Sequence, residues 1–153
     1  MADDLHLAEL ARKLYPYLAA DFLSLKSGYT AATYSPTYQG GTAGGATTYS
    51  IQVGHYIRIG ALVIAWGTVV WTAATGTGDA RISLPLANES TGNNYGTGAL
   101  RTTNVTFANS APQMQIDPGN PYFTMESPLT NAVTARVQME AAGNVLFVAA
   151  YSV

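Results

Sequence analysis

The residues that could carry acid–base chemistry are five carboxylates in the second part of the chain. Cleavage of a glycan uses a pair of carboxyl groups, one acting as acid and the other as base or nucleophile. Asp117 opens the sequence Asp-Pro-Gly-Asn-Pro, which favours a turn because Asp bonds to nearby backbone and Gly accepts a positive φ. The five lie scattered over predicted turns and strands: Asp79, Glu89, Asp117, Glu126 and Glu140. We therefore expect solvated or turn-forming carboxylates rather than a catalytic pair.

Nucleophilic and metal chemistry have still less support in the sequence. The chain has no cysteine and two histidines, and His6 and His55 stand apart from any Ser or Asp motif. Motifs of the forms Gly-x-Ser-x-Gly and His-x-x-x-His and phosphate-binding Gly-rich loops are absent from the sequence. We predict that the protein is not an enzyme, with no catalytic residues, no metal ligands and no cofactor, and that His55 packs in a strand or an interface.

Tyrosines offer a binding chemistry instead. The chain has 10 of them, and Tyr34, Tyr38 and Tyr95 fall in predicted loops. Aromatic rings on loops can stack on sugars or anchor a protein interface. These three are predicted contacts to glycan or protein, although tyrosine also serves as an amphipathic filler on a surface with few charges.

The charge content is low and uneven. The chain has seven Lys plus Arg and nine Asp plus Glu, or 10% charged residues, against about 25% in a typical globular protein. Residues 1–27 carry seven of the sixteen charged residues, including both lysines. A body with so few charges either aggregates or hides surface in an assembly, and we favour assembly. The net charge of −2 argues against a nucleic-acid partner, which requires a basic face.

Residues 1–27 are predicted to form a helical anchor. Its apolar side chains recur at spacings of three and four, which places them on one helix face. Pro16 predicts two short helices or one kinked helix. Pieces this short are marginal alone, so the stripe docks on the chain's own β-domain, on copies of the chain or on a larger partner. The predicted partner-binding residues are Leu7, Leu14, Leu18, Phe22 and Leu25.

The sequence predicts neither a leader nor a membrane span. It opens Met-Ala-Asp-Asp, with acidic residues where a secretory signal has Lys or Arg. The strongest apolar run, 57–71, is interrupted by Arg58, Gly60 and Gly67 and is too short to span a bilayer. We expect no membrane partner and synthesis in the cytoplasm of a cell.

The remainder divides into a linker and a β-domain. Residues 28–48 are rich in Thr, Tyr, Gly and Pro and are predicted as a linker or extended arm. Residues 49–153 alternate short apolar runs with turn signals and show no βαβ rhythm, which predicts an antiparallel jelly roll or β-sandwich. The segment 132–141 fits a strand or a helix. The predicted strands are 49–59, 62–71, 81–86, 99–107, 113–117, 122–126 and 145–153.

A hairpin at Gly60-Ala61 is the clearest local signal. Glycine at the first central position suits a primed two-residue turn, whose twist matches the flanking strands. The segment Gly-His-Tyr-Ile-Arg-Ile-Gly-Ala-Leu-Val, at 54–63, resembles a segment of small jelly-roll domains in bacteriophage virion proteins. The Ile82-Ser-Leu84-Pro85 strand end and the final strand, Val145 to Tyr151, also fit this resemblance.

The resemblance covers 49–153 and implies a virion structural protein whose jelly roll forms a homotrimer. We expect a capsid decoration, or cement, protein whose partners are copies of itself and the major capsid protein or another virion protein. The alternative is a receptor-binding tip of a tail fibre or head fibre, in which loop tyrosines contact host surface glycan. A third interpretation, from another class, is a carbohydrate-active module with a carboxylate pair in a groove.

Overall fold

The protein is mainly β, and its strands form two antiparallel sheets. The computed structural model describes Lys13 and residues 28–108, 112–127 and 134–153. The described strands are β1 (Tyr29–Tyr34), β2 (Tyr38–Gly40), β3 (Thr47–Ile59), β4 (Leu62–Ala74), β5 (Ala80–Ser83), β6 (Thr97–Thr103), β7 (Gln113–Gln115), β8 (Tyr122–Ser127), β9 (Ala135–Arg136) and β10 (Gly143–Ser152). Residues Ala31–Val153 form a compact unit.

Each sheet has five strands. Sheet A has the order β1-β3-β4-β10-β6, and sheet B has the order β2-β5-β8-β7, with β9 paired to β8. Three long strands make the centre of sheet A: β4 pairs with β3 from Ile59↔Leu62 and with β10 from Ser152↔Leu62. These are the runs in which Ile, Val and aromatic residues are most frequent, as strand propensity requires.

The predicted hairpin between β3 and β4 is confirmed. Gly60 has a φ of 59°, and the flanking residues Ile59 and Leu62 are paired. Only Gly60 among the two turn residues has a positive φ, which is the pattern of a type II′ turn. The turn fixes the register, and the register decides which side chains of β3 and β4 face the core.

One core lies between the two sheets. From sheet A it takes inward-facing residues of β4 and β10, including Val69 and Phe147, which are buried. From sheet B it takes residues such as Ile82 and Phe123. The rings of Phe123 and Phe147 meet across the two layers with centroids 5.0 Å apart. Alternation along each strand is what delivers these side chains to the same space.

The segment 28–48, predicted as a linker or arm, differs from that prediction in the structure. It holds β1 and β2, which belong to different sheets, and Tyr38 is a core residue at 1% exposure. The Tyr38 amide donates to the Tyr49 hydroxyl at 2.7 Å, and its carbonyl accepts from Thr47 at 2.9 Å. Side-chain hydrogen bonds therefore hold this segment where its composition offers few aliphatic groups.

The ambiguous segment around 132–141 is settled only in part. Ala135–Arg136 form the short strand β9, paired to β8, so the described end of this segment is extended rather than helical. Among the described residues, no helix is long and apolar enough to cross a membrane. The helical anchor predicted for 1–27 lies outside the described residues except for Lys13.

Candidate functional site

Three of the five scattered carboxylates converge on one arginine. Asp79 precedes β5, Asp117 follows β7, and Glu126 lies in β8. Arg136 of β9 reaches Asp117 Oδ2 at 3.0 Å and Asp79 Oδ2 at 3.5 Å through its two terminal nitrogens. Its Nε lies 3.7 Å from Glu126 Oε1. All three guanidinium nitrogens therefore face a carboxylate, which no local sequence pattern predicted.

Arg136 links the three carboxylates, and we call these four residues the Arg136 cluster. Glu126 is only 4% exposed, and a buried carboxylate needs a cation beside it. Burial by itself would lower the pKa of the Arg136 guanidinium, but Asp117, Asp79 and Glu126 raise it above its ordinary value. The guanidinium occupies the space between the acids, where a glycosidase would place the glycosidic oxygen and water. The arrangement ties β9 to β8 and to two turns.

The other two carboxylates serve local structure. Glu89 accepts from the side chains of Thr91 and Asn94, the latter at 3.0 Å. Glu140 accepts from the Thr106 amide at 3.3 Å through its side chain. Among the residues that the structure describes, no group of three or more His, Cys, Asp or Glu side chains could hold a metal ion.

The predicted tyrosine contacts are placed very differently from one another. Tyr95 lies on the connection between β5 and β6 and is 61% exposed. Tyr34 ends β1 and is partly buried, with its ring against Gly54 and edge-on to Tyr56. The placement of Tyr34 and Tyr38 on loops is wrong, because Tyr34 ends β1 and Tyr38 begins β2, with the Tyr38 ring buried in the core. Tyr95 is the one of the three that presents an exposed ring.

Predicted residues also include two histidines and the apolar residues of segment 1–27. His55 packs in a strand as predicted, stacked on Trp66 with ring centroids 5.7 Å apart. The predicted partner-binding residues Leu7, Leu14, Leu18, Phe22 and Leu25, and also His6, lie outside the described residues. Their role stays a prediction.

The outer face of sheet A, opposite the core, is apolar and open. Ten large hydrophobic side chains are exposed among the described residues, and eight of them lie on this face. In β4 and β10 these residues alternate with core residues, and those of β3 are paired with outward-facing residues of β4. We call this set the apolar face: Ile51, Val53, Ile59, Leu62, Ile64, Trp66, Leu146 and Val148.

Cross-strand register gathers these side chains into rows. One row runs His55, Trp66, Val148 and Ala99 across four strands. The adjacent row runs Val53, Thr68, Leu146 and Arg101. Residues paired in this way lie on the same side of the sheet at contact distance. A shallow concavity of about 600 Å³ lies along these rows, and both His55 and Trp66 line it.

Charge is nearly absent from this face. The outward positions of β3, β4, β10 and β6 hold one formally charged side chain, Arg101, and no carboxylate. Polar groups collect towards β6 and the strand ends, at Thr97, Thr103, Asn144 and Ser152. An apolar centre beside a polar margin is the usual anatomy of a protein interface.

The sequence of β4 carries a signal for the apolar face. In β4 the outward residues Leu62, Ile64 and Trp66 are as apolar as the inward residues Val63 and Ala65. A strand that is apolar at both parities is typical of a sheet covered on both faces. The run predicted the strand correctly, and its apolar residues on both sides indicate, in addition, a layer that covers the outer face.

No family model, no curated protein and no solved structure matches the chain.

Proposed function

We propose that this protein is a non-enzymatic structural protein of a bacteriophage virion, a trimeric capsid decoration protein with a jelly-roll domain. The observation that carries the proposal is the apolar face, because an open, nearly uncharged sheet surface is costly for a monomer in water and useful in an assembly. The hairpin at 54–63 and the strand end at 82–85, which resemble phage jelly-roll domains, supply the virion context.

Such a protein acts by burial of surface rather than by chemistry. A trimer seated across the seams between capsid subunits removes apolar area from water at each seam. Each contact contributes modestly, and repetition over the shell makes the sum large. The predicted attachment segment 1–27 would contact the major capsid protein, which leaves the face of the β-domain for other contacts.

A receptor-binding fibre tip is the second candidate, and Tyr95 favours it. Its ring is 61% exposed on a connection outside the sheets, where it could stack on a host glycan. A carbohydrate-active module has less support, because Asp79, Asp117 and Glu126 are each engaged by Arg136. In either binding role the protein would need no cofactor.

The decoration role is tested by removal and return of the protein. Virions that lack it should release their genome at a lower temperature than complete virions, and the purified protein should restore the original temperature. A matched addition of the Leu14→Ser/Leu18→Ser/Phe22→Ser variant should fail to restore it, if 1–27 is the attachment segment. Virions whose capsids are equally stable with and without the protein would contradict the proposal.

A further inference from the structure

Among the described residues of Ala31–Val153, no layer covers the apolar face. The first residues of β4, the strand near its centre, are nevertheless apolar on both sides of the sheet. We infer that a second copy of this chain covers it, so that the apolar face is the surface through which copies associate. The inference rests on the trimer of the proposed function and adds the surface and the residues that make it.

The size of the face suits a contact between copies. Four strands spaced about 4.8 Å apart, followed over the length from Ile51 to Ile59 at about 3.3 Å per residue, cover about 500 Å² of sheet. In a trimer, three such faces that converge on the threefold axis remove about 1,500 Å² from water in total, which is comparable with a specific protein–protein interface. Because large side chains protrude from the sheet, the accessible area of the face is greater than the area calculated for a flat surface.

The chemistry of the face also suits a copy of itself. Neutral apolar surfaces of neighbouring copies meet without desolvating a charge, and Arg101, at the margin on β6, can keep its charge in solvent. A sugar would instead require several hydrogen-bonding groups around an aromatic ring. The residues flanking Trp66 are mainly aliphatic: Val53, Ile64, Leu146 and Val148.

Trp66 is the expected anchor of this contact. It is 38% exposed at the centre of the face, and tryptophan at the centre of an interface commonly carries much of the binding energy. The parallel stacking of His55, with an angle of 21° between the rings, already restrains the indole. Less conformational entropy is therefore lost when the ring is covered.

The test uses the two tryptophans of the full chain as reporters. Trp71 is 1% exposed and shielded from quencher, whereas Trp66 is accessible in a single copy. In the wild-type protein, acrylamide quenching of Trp66 should be weak at high protein concentration. Quenching should rise on dilution as the oligomer dissociates, in step with the mass measured by light scattering.

The variant Ile64→Lys places a charge on the face, next to Trp66 but pointing away from the core. It should raise the dissociation constant at least about 100-fold and leave Trp66 quenched at all concentrations, with the circular dichroism of the wild type. Tyr95→Lys is the matched control, an exposed apolar residue elsewhere, and should associate as the wild type does. If Ile64→Lys does not fold, Val148→Lys decides the question in the same way.

Three results would overturn the inference. If the folded Ile64→Lys variant has the same oligomeric mass as the wild type, the copies associate through another interface. The decoration role would then stand unaffected. A monomer whose Trp66 becomes protected only when capsids are added uses the face for the capsid instead. A monomer whose Trp66 is protected by an added oligosaccharide uses it for glycan, which would also count against the decoration role.

Discussion

The ring of Tyr38 stacks on the indole of Trp71 with centroids 3.9 Å apart, which joins β2 of one sheet to β4 of the other. Both side chains also bind the backbone of Glu140. Its amide donates to the Tyr38 hydroxyl at 2.8 Å, and its carbonyl accepts from Trp71 Nε1 at 3.0 Å. Two polar atoms on buried aromatic rings are thus satisfied by one residue far along the chain.

Tyr38→Phe should lower the free energy of unfolding by about 1–3 kcal/mol, because the Glu140 amide loses its acceptor inside the protein while the ring stack remains. Urea unfolding at a fixed protein concentration measures the change. Tyr95→Phe, on an exposed ring, should alter stability by no more than about 0.5 kcal/mol. Equal effects of the two substitutions would show that the Glu140 contact contributes nothing.

Alkaline pH should destabilise the protein through its buried tyrosines. Burial raises the pKa of Tyr38 from 10.0 to about 12, and burial also raises the pKa of Tyr34 and of Tyr151. The folded state therefore holds protons that the unfolded state releases. Stability is fully present below pH 10 and falls as the pH rises towards 12 and beyond.

This pH dependence is measurable from the ultraviolet absorbance of tyrosinate during unfolding in urea. The slope of stability against pH above 10 should be shallower in Tyr38→Phe than in the wild type, by at most about 1.4 kcal/mol per pH unit. An identical slope in both proteins would contradict a raised pKa for Tyr38.

Arg136→Met should lower the free energy of unfolding by about 1–3 kcal/mol, because Glu126 loses its cation while it stays buried. The arginine side chain is 35% exposed, so screening by solvent keeps the effect below that of a fully buried pair. The double variant Arg136→Met/Glu126→Gln should recover part of the loss. Arg58→Met, at an exposed position, is the control. No recovery in the double variant would mean that Arg136 acts through packing alone.

Gly54→Ala should loosen the packing of Tyr34, at the end of β1, on β3. A Cβ at Gly54 would lie 2.5 Å from Cε1 of the Tyr34 ring, so the ring must move. We expect a loss of about 1–3 kcal/mol, as for other overpacked sites, measured by urea unfolding. Because the clash is with the ring, Gly54→Ala should cost less in a Tyr34→Ala background. The same cost in both backgrounds would place the strain elsewhere.

The hairpin and the long strands could be predicted because their causes are local. Gly60 supplies a positive φ, and the residues on either side alternate or run apolar. Tyr38 could not be placed in the same way, since its partners Trp71 and Glu140 are distant in sequence and its neighbours are Pro, Thr and Gly. A ring with a polar end enters a core only when the fold provides a hydrogen bond for it.

The candidate site also has one feature with a local cause in the sequence and one without. The apolar face was encoded at the start of β4, where the outward residues Leu62, Ile64 and Trp66 are as apolar as the inward ones, so it was open to prediction. The Arg136 cluster could not be predicted, because it combines residues of two turns and two strands that the pairing of β8 with β9 brings together. Its carboxylates looked solvated in the sequence, and only their positions around one guanidinium distinguish them.

We expect no hydrolysis of polysaccharide, peptide or nucleotide by the purified protein, because Arg136 engages the clustered acids. Release of reducing sugar from host surface polysaccharides measures this directly. We expect Asp117→Asn and Glu126→Gln to change the free energy of unfolding. Neither substitution should change the amount of sugar released. Turnover in the wild type that either substitution abolishes would restore a glycosidase role.

The central claim, that the protein decorates a phage capsid as a trimer, is tested most directly by imaging the particle. An electron cryo-microscopy map of the intact particle should show threefold density for the β-domain on the capsid exterior. The outer face of sheet A, with Trp66 near its centre, should be turned towards a neighbouring copy. Density at the tip of a tail fibre, or a capsid surface without this protein, would contradict the account.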